Sequence, residues 1–474
     1  MASIDATVVG IALPAIGRDF STNLATLQWV VTAYTLTLAG LLLFAGALGD
    51  KYGRKRIFLV GVVWFALASL LCAIAPDAPF LIAARAVQGI GAALLTPGSL
   101  AIIEASFRAD DRGKAIGAWS GLGGVGTAIG PFLGGWLIQA ASWRLIFLIN
   151  LPLAVLVVVV AWRHVPESRD PDMTRRRLDV LGGVLATLGL IGLTYGLIEA
   201  PGHGWASPGP LAALICGVLL LGAFIVWERR TAAPMMPLNL FASAQFTAAN
   251  VVTFAVYAAL GGALFLLPIQ LQQVSGYTPL QAGISLLPVT LIMLALSARS
   301  GALAARIGPK LQMTLGPIII GIGLALFTRI GHSGNYLTEV LPAVLIFGLG
   351  LATNVAPLTS TVLAAVPAEH AGIASAVNND VARAASLIAV AVLPAAAGLT
   401  GTSYLHPMEF SAGFHTASLI SAGLCVAGGA VAAVFIRNPR QPVPAASCFS
   451  HCGLDAPPPH TTAPSVPLSS RAQT

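Results

Sequence analysis

Run after run of about twenty residues in this chain carries almost no charge, and that limits the folds open to it. Each run has the length a helix needs to cross a hydrocarbon layer. They lie near 2–17, 27–48, 57–75, 80–103, 114–138, 144–162, 180–199, 208–227, 244–270, 281–300, 311–330, 338–364, 371–398 and 412–436. They are too long and too evenly apolar for the period-two alternation of a membrane barrel. Charged residues make up 9% of the chain and hydrophobic ones 56%, whereas a soluble protein carries about 25% charged residues. Soluble enzymes, nucleic-acid binders and disordered scaffolds are thereby excluded. The expected fold is an all-α polytopic membrane protein of about fourteen transmembrane helices.

The net charge of +7 calls for no nucleic acid. With the N-terminus inside the cell, 20 of the 25 Lys and Arg fall in cytoplasmic segments. Arg18, Arg144 and Arg329 lie outside, and Arg85 and Arg383 fall within spans. This is the positive-inside pattern, and it predicts cytoplasmic termini in a plasma membrane of bacterial type. The first run reads as a retained span without a cleavable signal. Because Met1–Ile16 is short and already holds Asp5, the natural start is expected upstream. Cys72, Cys216 and Cys425 read as small apolar residues of spans. Cys448, His451 and Cys452 in the tail lack the ligands of a metal site, so neither metal nor cofactor is expected.

The segment from Gly46 to Lys55 recurs from Gly301 to Lys310: Gly46, Ala47, Leu48, Gly53 and Lys55 match, and Lys51 becomes Arg306. A fainter echo pairs Gly89, Gly91, Ala93 and Gly113 with Gly348, Gly350, Ala352 and Gly372. Two copies in equivalent places predict six-span bundles over 1–162 and 241–436, related by a parallel repeat. A cytoplasmic loop and two extra spans fill 163–240, and a proline-rich, disordered tail follows over 437–474.

Four motifs carry chemistry. The turn Gly46-x-Leu48-x-Asp50-x-x-Gly53-Arg54-Lys55 combines glycines for a tight turn, an acid able to cap a helix and cations for an anionic leaflet. The run 80–103 holds Arg85 and Gln88 on one helical face. A guanidinium inside a span costs roughly 2.5–3.5 kcal/mol or more, so it faces a partner or a wet cavity, or snorkels to an interface. The run 114–138 contains Gly126, Gly130, Pro131, Gly134 and Gly135, in which Pro131 kinks the helix and the glycines permit close packing. The first run reads Asp5-Ala-Thr7-Val-Val-Gly10-Ile-Ala-Leu13-Pro14. Asp5 is either a proton carrier, since burial eases protonation of a carboxylate, or a solvated acid near a chain end.

These residues resemble the major facilitator superfamily, and within it the fourteen-span drug:proton antiporters of the EmrB/QacA group, over roughly 1–436. The resemblance implies export of a small amphipathic compound by alternating access, driven by the proton gradient, by a monomer embedded in lipid. It implies proton coupling by Asp5 and Arg85, and a conformational latch at Gly46, Asp50, Gly53, Arg54 and Lys55. It also implies an antiporter motif at Gly126, Gly130, Pro131, Gly134 and Gly135. Gly10 departs from the family pattern, which has Asn there. Trp29 and Tyr34 fit an aromatic pair of the family, with Gln28 beside them. Gln88, Asn250, Tyr257, Asn354, Asn378 and Asn379 are further candidates for a substrate cavity, or else polar glue between helices. Asp380 and Arg383, three residues apart, are expected to form a structural pair, or else a second coupling site. Members that export dications place an acid in the tenth span, and 281–300 has none. Monocationic or neutral substrates are therefore expected. An importer or uniporter of the same fold is the alternative, disfavoured by the Gly130-Pro131 motif. A polytopic membrane enzyme is remoter, because no histidine sits in the middle of a span and no HExxH or DDxxD occurs.

Overall fold

The computed structural model describes residues 1–107, 109–169, 178–231, 234–367 and 370–438. The loop at 170–177 and the tail beyond Asn438, with its two cysteines, lie outside the described residues. Their chain is helical throughout: α1 (Ala2–Asp19), α2 (Leu24–Tyr52), α3 (Arg54–Ala73), α4 (Ala78–Ser106), α5 (Ala109–Ala140), α6 (Leu145–His164), α7 (Val180–His203), α8 (Pro208–Arg230), α9 (Ala244–Val274), α10 (Pro279–Ile307), α11 (Lys310–Arg329), α12 (Tyr336–Ala364), α13 (Ala371–Ala396) and α14 (Pro407–Phe435). Among the described residues, 12 of these are long and apolar enough to cross a membrane. α1 and α5 stand apart from that set. α1 carries Asp5, Arg18 and Asp19 in 18 residues, and α5 opens on Asp110, Asp111 and Arg112.

Side-chain caps start many of the helices sharply. Asn23 accepts from the Thr26 amide, Asp77 from Phe80, Asp179 from Gly182 and Ser243 from Phe246. Thr278 and Gln281 close a reciprocal box at the start of α10. Each satisfies amides that have no partner in their own helix, so consecutive helices turn back within a few residues. The outward faces stay apolar: Leu67, Val155, Leu156, Leu219 and Leu294 are each about 60% exposed, which only lipid can cover.

α1–α6 pack as one bundle and α9–α14 as a second. α7 and α8 pair with each other, and α7 docks on α2 and α13. The bundles meet along α1 with α9, α2 with α13 and α5 with α10. At the end holding the α1–α2 turn, here the far end, hydrogen bonds join them. Gln28 donates through Nε2 to the Val390 carbonyl (2.6 Å), Gln272 to that of Ile11 (3.0 Å) and the Tyr404 hydroxyl to that of Thr22 (2.6 Å). The Leu24 amide donates to the Gly401 carbonyl (3.0 Å).

The repeat read from the sequence is a repeat of structure. Gly53, between α2 and α3, has φ 115°, and its counterpart Gly308, between α10 and α11, has φ 87°. This is backbone that glycine alone adopts without strain. Asp50 was expected to cap α3, but it lies in the last turn of α2 and accepts from Arg54 Nε (2.7 Å). The cap comes from Glu167, beyond α6, which accepts from the amides of Lys55 (3.1 Å) and Arg56 (3.2 Å). In the second half Asn438, beyond α14, does the same for Lys310 (3.0 Å). Arg437 and Asn438, expected in a disordered tail, are thus bound to the second bundle.

Candidate functional site

α1 brings Asp5 into the middle of the first bundle, where it is 1% exposed. α4 brings Arg85 to the same place, also 1% exposed, and its Nη1 lies 2.6 Å from Asp5 Oδ2. Arg85 therefore points inward and does not snorkel. Nη1 also reaches Gln88 Oε1 (2.6 Å), and Nε donates to the Val30 carbonyl (3.1 Å). Gln88, on the same face of α4, returns its Nε2 to Asp5 Oδ1 (2.9 Å) and to Ser69 Oγ (2.8 Å). Asn150 of α6 also donates to Asp5 Oδ1 (3.2 Å) and to Ser69 Oγ (3.3 Å). The Tyr34 ring of α2 lies 4.3 Å from the guanidinium carbon and the Phe147 ring of α6 5.7 Å, both within cation–π range.

Five helices thus converge on one carboxylate. Buried charges survive when they are paired and fully hydrogen-bonded, and Asp5 is both. A proton on Asp5 would remove the counter-charge of Arg85 and leave it its aromatic and carbonyl neighbours. Ser69 and Asn150 were not singled out from the sequence. Asn150 is a lone polar residue between Ile149 and Leu151, and that isolation was the available signal.

The other candidates fall elsewhere. The latch residues are tied within the first bundle: Arg54 pairs with Asp50, and Lys55 Nζ donates to the Trp162 carbonyl (2.9 Å). Gly46 faces Pro97 of α4. In the α5 motif Gly126 faces Ile4, Gly130 admits Thr7 and Gly134 admits Val8, all of α1. Gly135 lies against Leu280 of α10, and the Pro131 carbonyl is met by Gly283. Trp29 donates to Glu199 Oε1 of α7 (2.9 Å). Asn378 Nδ2 donates to Thr253 Oγ1 (2.7 Å) and Asn250 Oδ1 (3.1 Å), joining α13 to α9. Asn379 is exposed and bonds to its own helix, and Asn354 is fully buried with neither amide atom partnered. The Tyr257 carbonyl accepts from Ser386. Asp380 and Arg383 do not form the expected pair: Asp380 Oδ1 and Arg383 Nε each have no partner.

A helical bundle with an ion pair buried in its middle, joined to a second bundle of six helices, points to a polytopic membrane transporter. The comparisons with known proteins agree. The profile of the Major Facilitator Superfamily matches residues 1–391, and the chain belongs to that superfamily. It is 36% identical over 394 residues to the multidrug resistance protein Stp of Mycobacterium tuberculosis (strain CDC 1551 / Oshkosh), covering 83% of this chain and 73% of Stp. It is 35% identical to the methylenomycin A resistance protein of Bacillus subtilis (strain 168), covering 85% and 86%. Its fold is similar to that of a bacterial homologue of the human lysosomal transporter Spinster, crystallised inward-facing and unoccupied. There the TM-score is 0.63 at 17% identity, covering 91% of this chain and 93% of that one.

Proposed function

We propose that this protein is a proton-coupled exporter of small amphipathic compounds, antibiotics among them, working by alternating access as a monomer in a bacterial plasma membrane. The names of its relatives support export and drug resistance. The observation that carries proton coupling is the Asp5–Arg85 pair, a carboxylate and a guanidinium each 1% exposed within the first bundle. We further read α7 and α8 as the extra spans of the fourteen-span group, with α1 and α5 crossing the membrane beside the apolar helices. The placement of Lys and Arg supports cytoplasmic termini.

On that orientation the far end, closed by hydrogen bonds between the bundles, is extracellular. Substrate enters from the cytoplasm or inner leaflet. After the bundles rock, Asp5 meets the exterior and takes a proton, and Arg85 loses its counter-charge. Substrate leaves, the bundles return and the proton passes to the cytoplasm. The driving force is adequate: one pH unit supplies about 1.4 kcal/mol, and 100 mV roughly 2.3 kcal/mol per charge moved.

The test uses acid-loaded inverted vesicles containing the full chain and a panel of lipophilic compounds. Addition of a transported compound should collapse the pH gradient, and the same compound should leave Asp5→Asn vesicles acidic. Collapse at an equal rate in Asp5→Asn would remove Asp5 from coupling.

A further inference from the structure

The α7–α8 pair holds two acids that proton coupling at Asp5 does not use. Asp179 caps α7 and is 9% exposed, and Glu228, in the last turn of α8, is 3% exposed. One oxygen of each is well held. Asp179 Oδ1 accepts from the Gly182 amide (2.8 Å) and the Trp227 indole (2.8 Å), and Glu228 Oε2 from the Met236 amide (3.0 Å). The other two, Asp179 Oδ2 and Glu228 Oε1, are buried without a partner. Both crowd the same spot: a Cβ added to Gly182 would lie 2.6 Å from the first and 2.8 Å from the second. The two carboxyls are within hydrogen-bonding reach of each other.

Two ionised carboxylates so placed repel, and neither has a hydrogen to donate. Carboxyl pairs in a small dry space resolve this by holding one proton between them. A metal ion is the other way to join two acids, but hard cations take about six or more oxygen ligands. No third acid, histidine or cysteine joins this pair among the described residues. The groups around it are N–H donors, which serve a carboxylate and not a cation, and the Gly182 backbone stands against both free oxygens. A proton fits where an ion with its ligands does not.

Charges on the surrounding elements are few. Residues 231–243 and α9 carry none, and Arg229 and Arg230 of α8 are exposed. α7 has Glu199 and His203 at its far end. On α2, Asp50 holds Arg54, and Lys51 lies 5.8 Å from the Tyr52 ring. On α13 the charges are Asp380 and Arg383, more than two turns inside. The arginines at 175–177 lie outside the described residues.

We propose that Asp179 and Glu228 form a proton site of their own, in which one carboxyl donates its proton to the other and the pair clamps the connection between the bundles. The parts it joins belong to both halves. α7 is tied to α2 by the Thr187 hydroxyl, which donates to the Gly40 carbonyl (3.0 Å). Met236 belongs to the segment that runs into the second bundle, where Leu240 is buried and Phe241 packs edge-on against Phe246. The clamped pair binds one proton, whereas two carboxylates released into water bind none above the ordinary carboxylate range. The clamp is therefore complete in mildly acidic solution and weakens as pH rises. On the positive-inside orientation the pair lies at the cytoplasmic end, so it reads the pH of the cell interior. Neither the site nor its test depends on the exporter reading.

Amide substitutions separate a shared proton from a structural pair. In Glu228→Gln the side-chain oxygen still accepts from Met236 and the nitrogen donates to Asp179 Oδ2, so the bond becomes permanent. Asp179→Asn does the same in reverse. The test is infrared difference spectroscopy of the full chain in lipid, titrated with pH, together with hydrogen exchange at the Met236 amide corrected for the intrinsic rate at each pH. The parent should show a protonated-carboxyl band that Glu228→Gln and Asp179→Asn each remove and Asp5→Asn leaves in place. Protection of the Met236 amide should fall by up to about tenfold per pH unit once the proton leaves. It should stay level with pH in both amide variants and be lost at every pH in Glu228→Ala. No band lost in either amide variant would overturn the proposal, as would exposure of Met236 in Glu228→Gln as great as in Glu228→Ala. Loss of the band on adding magnesium at constant pH would make the occupant a metal ion and overturn it too.

Discussion

A guanidinium and a carboxylate that are each 1% exposed depend on one another. Removing one partner of such a pair leaves a buried charge uncompensated, at a cost of roughly 3–5 kcal/mol. Arg85→Leu alone should therefore lower the thermal midpoint in detergent sharply, and Asp5→Asn added to it should recover most of the loss. Equal destabilisation in the single and double variants would contradict the pairing. Asp5, Arg85 and Gln88 were legible in the sequence because a charge inside an apolar run must answer to something. Their partnership was not, since Asp5 and Arg85 are 80 residues apart and spacing says nothing of which helices adjoin. Ser69 and Asn150 escaped notice because one small polar residue in a span is ordinary. The acceptor of Trp29 on α7 lies 170 residues on, and spacing could not name it.

At the level of elements, α5 is held from two sides. Its glycines admit α1 along one edge, and at Gly135 and Pro131 it meets Leu280 and Gly283 of α10. A side chain at Gly283 would run into the Pro131 carbonyl, so Gly283→Val should wedge the bundles apart at the far end. Labelling of a cysteine placed at Ala12, which is fully buried in this state, should then quicken; unchanged labelling would deny α5 this role. The two turns at Gly53 and Gly308 carry a second prediction. Loss of a helix cap costs about 0.5–2 kcal/mol, so Glu167→Ala should speed hydrogen exchange at the first amides of α3, and Asn438→Ala at those of α11. Neither change should spread to the other turn. The internal repeat was readable because glycine positions survive in the chain. The caps were not, because Glu167 binds amides 112 and 111 residues before it.

Over the whole molecule, the run lengths alone announced a membrane protein, but they did not sort the helices equally. α1 and α5, dense in charge or glycine, do not reach the apolarity of the other 12. They nevertheless lie at the seam between the bundles, where α1 is largely buried and α5 leaves side chains such as Leu122 and Trp136 exposed. The bundles are held at the far end by a few hydrogen bonds, each worth about 0.5–1.5 kcal/mol net. Gln28→Ala with Gln272→Ala should shift the closed state toward the open one by about tenfold. Spin labels at residues 25 and 402 in a cysteine-free background would report a longer distance component. An unaltered distribution would mean that apolar packing alone closes this end. The central claim is that Asp5 couples the proton to substrate without being needed to carry substrate across. The most direct measurement compares two fluxes in vesicles containing Asp5→Asn: exchange of labelled for unlabelled compound with no gradient, and uphill transport driven by a pH gradient. In Asp5→Asn, exchange should persist while uphill transport is lost; uphill transport at the parent rate would show that Asp5 does not couple the proton.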